Sequence, residues 1–343
     1  RTDDYANVAR GLKKYPEYNI LIDPDETNYT LYKAAAVHNV IRHTSPVPAM
    51  KAVKNAAEIE GFRRSMVRDG VALVRFLMWL KPAVERGGQT EMSVSERLRG
   101  LRAADPMYRD LSFDTIAGYQ EHGAIVHYEA DGESDAALRP EGMILIDSGA
   151  QYADGTTDIT RTVALGPVTN EQRRVYTLVL KGHLQLQNMK FPYGASGTQL
   201  DAAARMAMWR EGMNYLHGTG HGVGSYLNVH EGPHQIRMEW RPAPLVPGMT
   251  VTDEPGLYLQ DRFGVRTENM LIVKDYMETE FGRFLEFEPL TLCPIDKTPI
   301  IVSMLTDGER AWLDDYHRRV YERLSPHLLP DERQWLENAC SPL

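Results

Sequence analysis

Four acidic residues stand within or beside runs that otherwise read as buried strand. They are Asp147 after Met143 to Ile146, Asp158 in the Thr157 to Leu165 run, Glu254 after Met249 to Asp253, and Glu268 in Val265 to Val273. The midpoint between the two glutamates is residue 261, inside the turn-like segment Gln260 to Gly264. A hairpin centred there sets their carboxylates directly opposite each other, roughly 5 Å apart at Cβ. Two buried carboxylates that close repel and take up a proton unless a cation compensates them, and a metal is the economical cation. The aspartates are less tidy. Asp154-Gly155 is a turn signal, and a two-residue hairpin turning there keeps Asp147 and Asp158 on one face. It also offsets them by about four residues, on the order of 13 Å along the strand. A wider or bulged connection is needed to bring both to one site, so irregularity is expected between Ala150 and Thr157.

A fifth residue completes the set. His221 lies in His217-Gly-Thr-Gly-His221-Gly-Val-Gly, too glycine-rich for a helix. Singly, each of these residues reads as a turn, cap or loop residue; the combination of four carboxylates and one imidazole points to metal binding. An oxygen-rich site with one nitrogen suits Mn²⁺ or Co²⁺, with Zn²⁺ as a further candidate. Four carboxylates neutralise two divalent ions, and two ions a few ångströms apart can share a hydroxide that is nucleophilic at neutral pH.

Around these residues the pattern alternates between helix and strand. Apolar spacing predicts a helix from Ala56 to Leu80, ended by Pro82, and a second from Thr90 to Ala103. The capping pattern Thr169 to Gln172 opens a helix to about Met189, and another is expected from Thr198 to near Gly212. Asp307 to Leu324 reads as a last amphipathic helix. Asn19 to Ile22 reads as a short strand, and Ser45-Pro46-Val47-Pro48 as a linker. Helices followed by strands with acidic residues occur twice, with Asp147 and Glu254 in comparable places, which suggests an internal duplication of an α+β unit.

The 343 residues are enough for a large core, and 43% apolar with 25% charged is an ordinary globular balance. With 47 acidic against 38 basic side chains and no basic run, neither nucleic acid nor an anionic membrane is an expected partner. Val71 to Leu80 is too short to span a bilayer and is split by Arg75. Two cysteines, Cys293 and Cys340, make no disulfide framework, and a cytoplasmic protein is expected. The chain opens on Arg1 rather than Met, as a fragment of something longer would.

The five residues, in that order, resemble the signature of the pita-bread metallopeptidases, which include methionine aminopeptidase, prolidase and aminopeptidase P. The segments Asp147 to Arg161, His217 to Pro233 and Asp253 to Tyr258 resemble the aminopeptidase P form, and its large form most closely. The resemblance implies an α+β pita-bread (creatinase/aminopeptidase) fold over residues 49–343, with a C-terminal helical extension. Residues 1–48 would be the remnant of a preceding creatinase-like N-terminal domain and linker. It further implies Asp147 on one metal, Asp158 and Glu268 bridging both, and His221 and Glu254 on the other. Glu254 would also be the general base, and His127, His217 and His230 would serve the substrate. The implied activity is removal of the first residue from peptides with proline in second position, by a hydroxide bridging two divalent metals, by a protein that is commonly a homodimer. Prolidase, which takes Xaa-Pro dipeptides, and a non-catalytic pita-bread binding module are the alternatives.

Overall fold

Two compact units, residues 1–51 and 52–343, divide the chain in the computed structural model, which describes residues 3–15 and 17–343. The first unit carries α1 (Val8–Leu12), β1 (Ile20–Ile22), α2 (Tyr29–Ala35) and β2 (Val40–Arg42), with the two strands paired in parallel. The segment expected as a linker instead leads into a helix, α3 (Val47–Ala52). Pro48 falls in its first turn, where the missing N–H leaves no helical bond unmade.

The second unit opens with α4 (Ala56–Arg86), capped by reciprocal bonds between Asn55 and Glu58. Pro82 was expected to end this helix but lies inside it. Ala83 and Val84 beyond it are fully buried, so their packing outweighs the bond that the Met78 carbonyl loses to the proline ring. Gly87, at φ 81°, ends the helix instead. α5 (Glu91–Ala103), β3 (Tyr108–Leu111) and β4 (Ile116–Tyr119) follow.

Next comes a hairpin whose ladder opens halfway. β5 (Met143–Ser148) pairs with β8 (Ile159–Ala164), while β6 (Ala150–Tyr152) and β7 (Gly155–Thr156) continue toward the tip in one register. Asp147 faces Thr160 and Tyr152 faces Gly155, so the turn is Ala153-Asp154, one residue earlier than expected. Gly155 serves a close approach to α4 rather than the turn: a Cβ there would lie 2.4 Å from Ser65 Oγ. The Asp154 carboxylate is held by Arg64 and Arg68 of the same helix. This one-residue slip puts Asp158 across from Gly149, so the two aspartates are diagonal neighbours on one face. The expected irregularity is a gap in the ladder. Ala150 N donates to Thr157 Oγ1, and Thr157 O accepts from Ser112 Oγ. Gly149 has no room for a side chain, since its Cβ would sit 2.0 Å from Thr157 O.

α6 (Asn170–Gln187), β9 (Lys190–Pro192), α7 (Gly197–Trp209), β10 (Gly220–Gly222) and β11 (Glu231–Ile236) lead to a second hairpin of the same design. β12 (Thr250–Asp253) pairs with β15 (Asn269–Thr279), and beyond a gap β13 (Gly256–Leu259) pairs with β14 (Phe263–Arg266). Asp253 faces Asn269 and Gly256 faces Arg266, so Glu254 and Glu268 face each other across the gap, as the midpoint at residue 261 requires. β16 (Gly282–Pro289), α8 (Asp307–Leu324) and α9 (Pro330–Ala339) complete the unit. Each half is therefore a pair of helices and a hairpin that opens where its acidic residues lie.

The hairpins join along β8 and β14. Glu268 N donates to Thr160 O at 3.0 Å, and Arg266 N donates to Thr162 Oγ1 at 3.1 Å. The buried guanidinium of Arg161 reinforces this seam. It donates to Glu268 O at 2.6 Å, to Asn269 Oδ1, to Cys293 O and Pro294 O, and to Tyr316 Oη on α8. Arg161→Met should leave those acceptors unsatisfied inside the core and cost about 3 kcal/mol or more. Urea unfolding of wild type and variant would measure it, and a loss under about 1 kcal/mol would rule out this account of the seam.

Candidate active site

The openings of both hairpins face one cavity of about 460 Å³, lined by all five candidate ligands and by His127, His217 and His230. The two halves contribute differently. Asp147 comes from β5 and Asp158 from the gap before β8, whereas Glu254 and Glu268 come from the second hairpin and His221 from β10. One ligand atom from each of Asp158, His221 and Glu268 lies within 4.8 Å of the others. Glu254 joins through Oε1, 3.5 Å from His221 Nε2, the same distance that separates this nitrogen from Asp158 Oδ2. Asp147 lines the same cavity but is held from behind by Arg266, whose Nη2 donates to its Oδ2 at 2.6 Å. Its other oxygen, Oδ1, is buried without a hydrogen-bond partner among the described residues.

Backbone chemistry fixes the imidazoles. His221 Nδ1 donates to Gly222 O at 2.9 Å, so Nε2 is the nitrogen turned toward the carboxylates. His217 is bound at both nitrogens. Tyr258 Oη accepts from Arg266 Nη1 at 2.7 Å, so its single proton goes to His217 Nε2 at 2.8 Å. His217 Nδ1–H then donates to Gly218 O at 2.8 Å. Burial pushes His217 down to about 4, in keeping with this neutral form. The ring of His230 meets that of His221 edge-on, with centroids 4.3 Å apart. His127 is carried by a segment organised around Glu91, whose carboxylate accepts from Tyr119 N, Tyr128 Oη and Ala136 N.

The charges do not balance within the chain. Burial pushes the Glu254 carboxyl up to about 7, and it raises Asp158 and Glu268 as well, each also repelled by neighbouring carboxylates. Burial alone would depress His221, but its bond to Asp158 and the charge of Glu254 reverse the sign and lift it to about 9. Carboxylates forced toward protonation around an imidazole, with an unpartnered Asp147 oxygen among them, fit divalent cations as the missing charge.

Two residues of this network had no assigned role in the sequence reading. Arg266 precedes Glu268 by two positions, so an alternating strand carries both on one face; an arginine in an otherwise apolar strand was the available signal. Tyr258 lies in the recognisable Asp253 to Tyr258 segment, but only its bonds to Arg266 and His217 reveal what it does.

Two hairpins of a duplicated fold pool their carboxylates in one cavity, the arrangement of a pita-bread fold with a metal centre. Residues 60–275 match the model of metallopeptidase family M24, 283–343 match the C-terminal region of that family, and 1–58 match the creatinase/prolidase N-terminal domain. The chain belongs to metallopeptidase family M24. A probable Xaa-Pro aminopeptidase P of Laccaria bicolor is 42% identical, over 98% of this chain and 54% of that protein. Aminopeptidase P1 of Arabidopsis thaliana is 42% identical, over 94% and 54%. The crystal structure of an X-prolyl aminopeptidase from Caenorhabditis elegans, described as a cytosolic enzyme with a di-nuclear active site, superposes with a TM-score of 0.90 at 38% identity. It covers 99% of this chain and 57% of that one. A Xaa-Pro dipeptidase from Bacillus anthracis gives a TM-score of 0.71 at 26% identity, covering 84% and 77%. The chain spans about half the length of the curated relatives it matches.

The charge imbalance has a measurable sign. Glu254 is raised from 4.5 to about 7, so its contribution to stability is present at low pH and lost as pH rises toward 7. That loss is of the order of 3 kcal/mol. His221 is raised from 6.5 to about 9, so the stability from its pairing is present below 6.5 and lost as pH rises through 9. The metal-free protein should therefore melt at lower temperature as pH goes from 5 to 9, and added Mn²⁺ should reverse the slope because protons and metal compete for the same groups. A melting temperature that rises with pH in chelator would contradict the imbalance.

Proposed function

We propose that this chain carries the catalytic domain of an Xaa-Pro aminopeptidase, which removes the first residue from peptides with proline in second position. The observation that carries the reading is the convergence of Asp147, Asp158, His221, Glu254 and Glu268 on one cavity with three histidines at its wall. The relatives named as Xaa-Pro aminopeptidases support it over prolidase. Residues 49–343 are read as the catalytic domain with its C-terminal helical extension, and residues 1–48 as the end of a preceding creatinase-like domain. The proposed location is the cytosol, as for the C. elegans enzyme; no helix among the described residues is long and apolar enough to cross a membrane. A homodimer is the proposed assembly.

Asp147 would hold one divalent ion, His221 and Glu254 the other, with Asp158 and Glu268 shared; Mn²⁺ is proposed first, ahead of Co²⁺ and Zn²⁺. Bound there, the ions supply Lewis-acid polarisation of the scissile carbonyl and a water acidic enough to attack at neutral pH. The side chains do the rest. Glu254 takes the proton of the attacking water and returns it to the leaving proline nitrogen. His230 and His127 offer ring N–H groups to the oxygen that becomes negative. His217 has both nitrogens engaged, so it acts as a wall of the proline pocket rather than as a donor. A Xaa-Pro amide carries no N–H and a fixed ring, and a pocket shaped to that ring turns both features into selectivity.

The deciding experiment incubates Mn²⁺-loaded protein with Xaa-Pro-Yaa peptides and Xaa-Pro dipeptides side by side. Release of the first residue from the longer peptides, abolished by chelator and restored by Mn²⁺ or Co²⁺, is expected. Cleavage of dipeptides alone would favour prolidase, and full activity without metal would sink the two-metal reading.

Two substitutions separate metal ligands from other residues. Glu268→Ala should abolish activity and weaken binding of both ions. His230→Ala should lower kcat by roughly two to three orders of magnitude and leave metal content unchanged. Metal analysis and kinetics on Arg-Pro-Pro, run on the same samples, would check both, and loss of a metal in His230→Ala would move that histidine into the ligand set.

A further inference from the structure

The segment that carries the chain into α4 is fastened to the loop bearing His230. Val53 bridges Met249, and Lys54 N donates to Gly248 O at 2.9 Å. The Lys54 side chain then runs inward to Glu231, with Nζ 2.5 Å from Oε1 and both side chains more than nine-tenths buried. Glu231 immediately follows His230 and stands opposite Gly222, next to His221, where the β10–β11 register shifts. The loop between them folds over this carboxylate. Gly224 N donates to Asn228 O, Leu227 and Asn228 take positive φ, and a Cβ on Gly224 would come within 3.0 Å of Glu231 Oε2.

A buried ion pair is a poor source of stability, because desolvating two charges offsets their attraction. What it supplies is position, since a buried lysine bonded this closely to a carboxylate restricts where that carboxylate sits. We propose that Lys54 is a positioning residue, holding Glu231 so that the 223–230 loop presents the His230 ring to the cavity beside His221. This inference rests on the aminopeptidase reading above for the role of His230. It goes further in tying catalytic geometry to the segment through which the chain enters the catalytic unit. Lys54 touches no substrate in this account; it acts through Glu231 and the loop backbone, as outer partners of a metal site orient inner ones.

The test compares wild type, Lys54→Arg, Lys54→Met and Lys54→Met/Glu231→Leu, all Mn²⁺-loaded, on Arg-Pro-Pro. Metal content, melting temperature and amide hydrogen exchange across 223–230 are measured on each. Lys54→Met should lower kcat roughly 10- to 100-fold, keep KM within about twofold and retain both metals. Exchange in the loop should quicken about tenfold, and Lys54→Arg should restore most of the rate. Because removing the Lys54 charge beside the buried Glu231 carboxylate could prevent folding, the double variant is made in parallel; it should recover the melting temperature while kcat stays low. A double variant that regains both, or a Lys54→Met protein with wild-type kcat, overturns the proposal. Should wild type fail to cleave Arg-Pro-Pro, the aminopeptidase reading falls separately. Hydrogen exchange then decides alone, and unchanged exchange in Lys54→Met rejects the positioning role.

Discussion

Mutual repulsion among four carboxylates in one cavity is the constraint around which this protein is arranged. Asp147, Asp158, Glu254 and Glu268 share about 460 Å³ of lined space with one buried arginine and one imidazole set among them. Each surrounding feature holds one of these groups in place against its neighbours. Arg266 takes one oxygen of Asp147, and the other has no hydrogen-bond partner among the described residues. Thr160 Oγ1 donates to Glu268, and Gly222 O turns His221 so that its Nε2 faces inward. The seam between β8 and β14 fixes how far apart the two acidic pairs lie. A scaffold so invested in bringing like charges together makes physical sense only with cations as part of the finished site.

Much of this arrangement could be read in the sequence because strand geometry is periodic. Glu254 and Glu268 face each other because their midpoint falls in a turn: between them lie one ladder, Gly256–Leu259 with Phe263–Arg266, and its turn, and the ladder beyond them continues in the same register. The aspartate pair was harder. Asp154-Gly155 carries a strong turn signal, yet Gly155 is spent on close contact with Ser65 of α4, and the turn moves one residue earlier. Which glycine makes a turn and which makes room depends on what packs outside the hairpin. Pro82 is a similar case, since buried Ala83 and Val84 carry the helix past a residue that normally stops one.

What could not be read was the wiring behind the ligands. The run from Asp147 through Arg266 and Tyr258 to His217 crosses both hairpins and the β10 loop, and no local pattern links residues that distant. It also changes what His217 can do. As a loop histidine it looked like one more group serving the substrate; bonded at both nitrogens, it offers the surface of its ring and little else. Hydrogen-bond bookkeeping, rather than residue type, separates it from His127 and His230.

The layout of two short-looped hairpins meeting at Thr160 and Glu268 also sets an order of assembly. Each hairpin closes over a tip of a few residues, Ala153-Asp154 in one and Gln260 to Arg262 in the other, so each is cheap in chain entropy. Contacts between them join residues more than a hundred positions apart, as Thr160 and Glu268 do. Such non-local contacts are the slow part of folding. Neither hairpin alone gathers all four charges. The electrostatic cost of the site therefore falls on the docking of the two halves, late in folding, at the step where an arriving divalent ion would have the most repulsion to relieve.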